Sequence, residues 1–188
     1  RAERGLADEH AAHRLVTSVV YALPFGRGKR YLSGMGAVPE ALLGGWTIAD
    51  ITTLSSGPYA NLSVLGNPSN TGGPDRPNVL GEWRLDKEQR TLRRWFNTDA
   101  FAANTPFTFG NAARNLIESP GQVNFDFAVY KHFQIAEALR IQFRWEAFNW
   151  FNTPRFSPPN VGFGNPAFGM IGSAGRPRNM QFGLKLVF

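Results

Sequence analysis

His10 and His13 stand three residues apart behind Glu9, a spacing from which two imidazoles and a carboxylate could share one metal ion. They lie on a chain terminus, where ends fray and such groups are ordinarily just solvated, so no metal site is expected there. Gly26-Arg27-Gly28-Lys29-Arg30 has the glycines and cations of a phosphate loop. It lacks the four-residue spacing and the Ser or Thr that holds Mg²⁺. Gly162-Phe163-Gly164 does not lead from a strand into a helix, which removes a dinucleotide site. Asp86 and Glu88 fall in a segment that reads as loop, where solvation accounts for them. Asn61-Leu62-Ser63 fits a glycosylation sequon and carries no weight alone. The absence of cysteine removes disulfides and thiolate metal sites. No catalytic constellation emerges, and neither an enzyme nor a cofactor is expected.

The polar residues that do form a pattern are those of two alternating segments. Val123, Phe125, Phe127, Val129 and Phe133 alternate with Asn124, Asp126, Ala128, Tyr130 and His132. Leu139, Ile141, Phe143, Trp145 and Ala147 alternate with Arg140, Gln142, Arg144 and Glu146. A period of two places each set on its own face of a β-strand. A helix would gather the charges of the second segment on one stripe, which they do not form. Both apolar sets are odd-numbered, and facing residues of an antiparallel pair share a face. The connection therefore has an odd length. Ala136-Glu137-Ala138 fits, with Ile135 opposite Leu139, Phe133 opposite Ile141, Val129 opposite Trp145, Phe127 opposite Ala147 and Tyr130 opposite Arg144. Shifting by two would oppose Asp126 to Glu146, an unfavourable pairing of like charges.

The last ten residues alternate as well. Met180, Phe182, Leu184, Leu186 and Phe188 share one parity, and Asn179, Gln181, Gly183, Lys185 and Val187 the other. About ten residues suffice for a tilted strand to cross a bilayer. Two more strands are expected at 13–24, with Leu15, Val19 and Tyr21 on one face, and at 42–56. In the latter Trp46, Ile48, Thr52 and Leu54 share a face that also carries Asp50. Tyr59 to Leu65 could prolong this strand, and a short helix fits Asp86 to Phe96. No apolar run reaches the roughly 18 residues of a transmembrane helix. The mean hydropathy of −0.26 does not exclude a membrane protein, since a barrel is apolar on one face only.

Five strands result, at 13–24, 42–56, 123–134, 139–150 and 179–188. Their connections run medium, very long, very short and long. With Phe188 on the periplasmic side, both long connections fall outside and both shorter ones inside, as is usual for outer-membrane barrels. The expected fold class is all-β: an antiparallel transmembrane barrel portion spanning 1–188, with long extracellular loops, not closed on its own. Asp126, Tyr130, Arg140, Gln142, Arg144 and Glu146 would then face a wet lumen, contacting a plug or a solute or pairing only among themselves. Lys131 breaks the apolar set close to the short turn, where its amine can reach the interface. The net charge of +6 is dispersed over loops and alternating strands, and nucleic-acid binding is not expected.

Gln181, Gly183, Leu186 and Phe188 resemble the C-terminal assembly signal of bacterial outer-membrane barrels: polar, any, Gly, any, any, apolar, any, aromatic. Further blocks resemble the C-terminal barrel of TonB-dependent receptors, in particular the Oar-like subgroup with a carboxypeptidase-regulatory-like domain. They are Tyr21-Ala22-Leu23-Pro24-Phe25-Gly26-Arg27-Gly28-Lys29, Leu43-Gly44-Gly45-Trp46, Ser56-Gly57-Pro58-Tyr59 and Arg76-Pro77-Asn78. Trp95-Phe96-Asn97-Thr98-Asp99-Ala100-Phe101, Phe109-Gly110-Asn111-Ala112-Ala113-Arg114-Asn115 and Phe148-Asn149-Trp150-Phe151-Asn152-Thr153-Pro154-Arg155-Phe156 complete the series. The resemblance implies a C-terminal piece of a longer protein. Its plug, its energy-coupling box and most of a barrel of about 22 strands would lie elsewhere. It further implies solute uptake across the outer membrane and, as partners, membrane lipid, the barrel assembly machinery, the remaining barrel and plug, and a TonB-type energy-coupling protein. Two other readings stand beside it: a structural or adhesive barrel that binds a partner through its loops without transport, and a soluble β-sandwich binding module.

Overall fold

The computed structural model describes residues 5–8, 10–136 and 139–188. Along the chain, β1 (Arg14–Ala22) is followed by a helix, α1 (Ala37–Leu43), and by β2 (Trp46–Ser55). Five short strands come next: β3 (Tyr59–Ala60), β4 (Ser63–Val64), β5 (Asn78–Val79), β6 (Phe101–Ala102) and β7 (Ile117–Glu118). The long hairpin strands β8 (Gln122–Gln134) and β9 (Arg140–Phe148), a short β10 (Gly162–Phe163) and the final β11 (Asn179–Val187) complete the order.

The long strands form one open antiparallel sheet in the order β1-β2-β8-β9-β11. Its register follows the alternation. Phe127 faces Ala147, Val129 faces Trp145, Tyr130 faces Arg144 and Phe133 faces Ile141. Beyond Gln134 the Ile135 N–H donates to the Leu139 carbonyl at 3.0 Å, while Glu137 and Ala138 of the expected connection lie outside the described residues. Across the next seam Phe182 faces Trp145, Leu184 faces Phe143 and Leu186 faces Ile141. At the other edge, Leu23 N–H bonds to the Trp46 carbonyl and Ser56 N–H to the His13 carbonyl, which sets odd residues of β1 opposite even residues of β2. One face of the sheet therefore carries Leu15, Val19, Trp46, Ile48, Phe127, Phe143, Trp145, Phe182 and Leu184.

Three expectations need correction. The second strand begins at Trp46, because Leu42 and Leu43 close α1. Gly45, at φ +70°, makes the turn between them; a Cβ there would come within 2.9 Å of the His132 carbonyl oxygen. Tyr59 to Leu65 does not prolong β2. A Cβ on Gly57 would stand 1.7 Å from the Ser119 oxygen, and the chain turns away to pair β3 with β7 and β4 with β10. Between Asp86 and Phe96 there is one turn of 3-10 helix, Lys87–Gln89, because Phe96 is drawn into a core.

The chain divides into two compact units. One comprises 15–54, 123–154 and 176–188, the spanning strands with their short connections. The other comprises 1–14, 55–122 and 155–175 and gathers both long connections. Leu62, Phe96, Ala100, Phe101, Ala112 and Ile117 form its core. The rings of Phe96, Phe101 and Phe168 meet edge to face at 5.1–5.8 Å. Asn side chains replace regular ladders here. Asn111 accepts the Val79 N–H at 2.6 Å and donates its own N–H to the Asn78 side chain at 3.1 Å. Gly110 lets these segments close up, since a Cβ would lie 1.9 Å from the Arg76 oxygen.

Candidate functional site

The face of the sheet opposite the apolar one carries the expected polar set. Glu146 is its centre. One carboxylate oxygen accepts from Arg144 at 2.5 Å, and the other accepts from the Gln181 amide at 2.6 Å. Direct pairing explains this: Gln181 is the neighbour of Glu146 on β11, and Gly183 is the neighbour of Arg144. The Arg144 guanidinium lies 5.3 Å from the Tyr130 ring on the other side. His132 and Gln142 sit 3.3 Å apart through their side-chain nitrogens. Arg140 is exposed at the end of β9.

Asp126 has a different role from its neighbours. It accepts the Asn149 N–H at 2.9 Å and so anchors the turn after β9. Asn149 and Asn152 there adopt φ of 52° and 53°, a left-handed conformation that Asn tolerates better than most residues. The Asn149 side chain bonds to Thr153 in both directions, and Asn152 accepts the Arg178 N–H at 2.9 Å. This is the physical content of the Phe148-to-Phe156 block. The signal that identifies it is the repeated Asn within a short apolar run.

The ladder mostly satisfies itself. The Nε of Arg144 and the Oδ1 of Asn124 are buried without a partner among the described residues. Among the described residues no three His, Asp or Glu side chains gather to hold a metal. His10 packs beside the Tyr59 ring, His13 bonds through its backbone N–H to Ser56, and Glu9 lies outside the described residues. Asp86 and Glu88 belong to the 3-10 turn.

The apolar face ends in aromatic clusters. At the end with the long connections Trp145 packs against Trp150 at 5.2 Å and Phe127 lies 5.8 Å from Trp150. At the hairpin end the Lys131 ammonium sits 4.9 Å from the Trp46 ring and 5.2 Å from that of Phe133, donating to the Gly44 carbonyl. Asp50, the other charge on this face, accepts the Thr52 hydroxyl at 2.7 Å. Between these ends large side chains stand bare: Phe182 is 74% and Leu184 77% exposed. Such a patch is not stable in water, and aromatic girdles bounding an apolar band mark a sheet that faces lipid.

A family model described as an outer membrane beta barrel domain matches residues 1–181. The chain belongs to this family. Comparisons with curated proteins and with solved structures returned no significant match. The barrel domain places the protein in the bacterial outer membrane. The soluble sandwich is thereby set aside. As a barrel segment, the sheet turns its apolar face to lipid, with the Glu146 ladder on the opposite face, and its long connections are extracellular. No described helix is long and apolar enough to cross a membrane.

Proposed function

We propose that this barrel segment belongs to a plugged, TonB-dependent-type receptor of the Oar-like kind, which takes up a solute across the outer membrane. One observation carries the reading. The lumenal face is not uniformly polar. Val16 and Val20 of β1 and Ile51 of β2 point to it and are 52%, 71% and 47% exposed. The interior of an open, water-filled barrel is polar. An apolar patch beside the Glu146 ladder suits a folded plug, which buries the valines and takes the hydrogen bonds that Arg144 and Asn124 leave open.

In planar bilayers the full-length protein is expected to be electrically silent. In cells, loss of TonB is expected to abolish a solute uptake that also depends on this protein. A steadily open pore, or uptake indifferent to TonB, rejects the reading. The assembly machinery is a second expected partner, through Gln181, Gly183, Leu186 and Phe188. Deleting Phe188, which is 94% exposed and so packs on little, then reduces outer-membrane assembly sharply. Unchanged assembly reduces it to an ordinary terminal side chain.

The self-cored extracellular unit favours one alternative, an adhesive or structural barrel that displays this unit to a partner and transports nothing. Full surface binding with no TonB-dependent uptake distinguishes it.

A further inference from the structure

Between β1, β2 and α1 lies a groove of about 380 Å³, lined by Leu23, Phe25, Leu32, Leu43 and Trp46, with hardly any polar atom in its walls. Leu23 and Trp46 belong to the lipid-facing side of the sheet, and the groove sits at the end with the shorter connections, the periplasmic rim. Around it α1 leaves Val38, Leu42 and Leu43 bare at 71%, 66% and 51% exposure. A tight turn forms the rim. Tyr31 N–H bonds to the Pro24 carbonyl at 2.9 Å and Gly26 N–H to the Tyr31 carbonyl at 3.0 Å, so Arg27, Lys29 and Arg30 are exposed at its tip, the Arg30 guanidinium 5.3 Å from the Tyr31 ring. Glu40 is the one acidic residue between Pro24 and Gly45, and its carboxylate is engaged by the Arg27 backbone N–H at 2.8 Å.

We infer that this groove is a binding site for one anionic phospholipid of the periplasmic leaflet, its acyl chain in the slot and its headgroup against Arg27, Lys29 and Arg30. An apolar slot alone would accept any acyl chain. The three cations beside it select a headgroup of net negative charge, because basic side chains near an anionic surface each add attraction. Trp46 suits this depth, since its ring is amphipathic and such rings collect at the membrane interface. Lys131 does not compete for the headgroup, because Gly44, Trp46 and Phe133 already enclose its amine. The inference rests on the outer-membrane placement and is independent of transport.

Native mass spectrometry of the full-length protein, titrated in detergent with phosphatidylglycerol or phosphatidylcholine, tests it. The wild type is expected to retain one phosphatidylglycerol in preference to phosphatidylcholine. Arg27→Gln/Lys29→Gln/Arg30→Gln is expected to bind phosphatidylglycerol about a hundredfold more weakly, as follows from removing three such charges. Phe25→Ser/Leu32→Ser, in the exposed turn, is expected to weaken both lipids alike. Equal retention of the two lipids by the wild type overturns the site, and that measurement stands even if a variant fails to assemble. Unchanged phosphatidylglycerol binding in the triple variant overturns the headgroup assignment. A co-purifying protein that excludes the lipid overturns the choice of occupant.

Discussion

Phe96 and Phe182 are the same residue type with opposite fates. In the extracellular unit Phe96 is 3% exposed, while in the sheet Phe182 is 74% exposed. The first unit removes its apolar surface from water by folding over itself; the second leaves that task to lipid. Both obey one rule, that apolar surface must leave water, but the solvent of each differs. The consequence is a division of labour. The extracellular unit has its own core, whereas the sheet has an apolar face on one side, a polar ladder on the other and unpaired edges at β1 and β11.

The contrast can be broken most forcefully at the core. Phe101→Ala removes a ring packed against Phe96 and Phe168, at a cost of about 3–5 kcal/mol. The extracellular connections should become protease-sensitive while the barrel keeps its heat-modifiable mobility on gels. Loss of both together would show that the units do not fold separately. Next in size is charge on the lipid face: Phe143→Arg should cost roughly 2–4 kcal/mol and lower the outer-membrane yield, whereas Gln142→Arg on the opposite, polar face should be tolerated. Equal yields would show that the sheet does not face lipid as assigned.

Asn149→Ala strips the turn after β9 of bonds that the buried side chain makes, for about 1–3 kcal/mol. It should lower the thermal midpoint of the folded barrel without exposing new protease sites in the 55–122 connection.

The smallest effect concerns pH. Asp8 accepts from Asn115 and Arg114, both at 2.8 Å, and these bonds hold its carboxyl below the ordinary value of 3.8. A depressed folded pKa stabilises above the unfolded value and is lost as pH falls from there through the folded one. Hydrogen exchange of residues 5–8 should therefore quicken as pH drops below that ordinary value, after correction for the intrinsic rate, and Asp8→Asn should abolish the change. Exchange with the same pH dependence in both proteins would leave this tether without a role.

Alternation alone carried the spanning sheet. A strand has a period of two whatever it packs on, so the parity of Phe125 to Phe133 and of Ile141 to Ala147 implied both the lipid-facing side and the even-sum register. Asp126, Tyr130, Gln142, Arg144 and Glu146 were placed on the other face by the same reasoning. The extracellular core has no such period. Leu62, Phe96 and Ile117 meet through turns set by Gly57, Gly110 and paired Asn residues, and no local rule relates positions so far apart. Likewise α1 is one short helix whose apolar side chains resemble a strand start, and only the Gly45 turn against His132 decides where β2 begins. Lys131 could be placed near the interface from its position. That its amine would end on the Gly44 carbonyl between two aromatic rings was decided by the pairing of β2 with β8, a contact between segments separated by the whole extracellular connection.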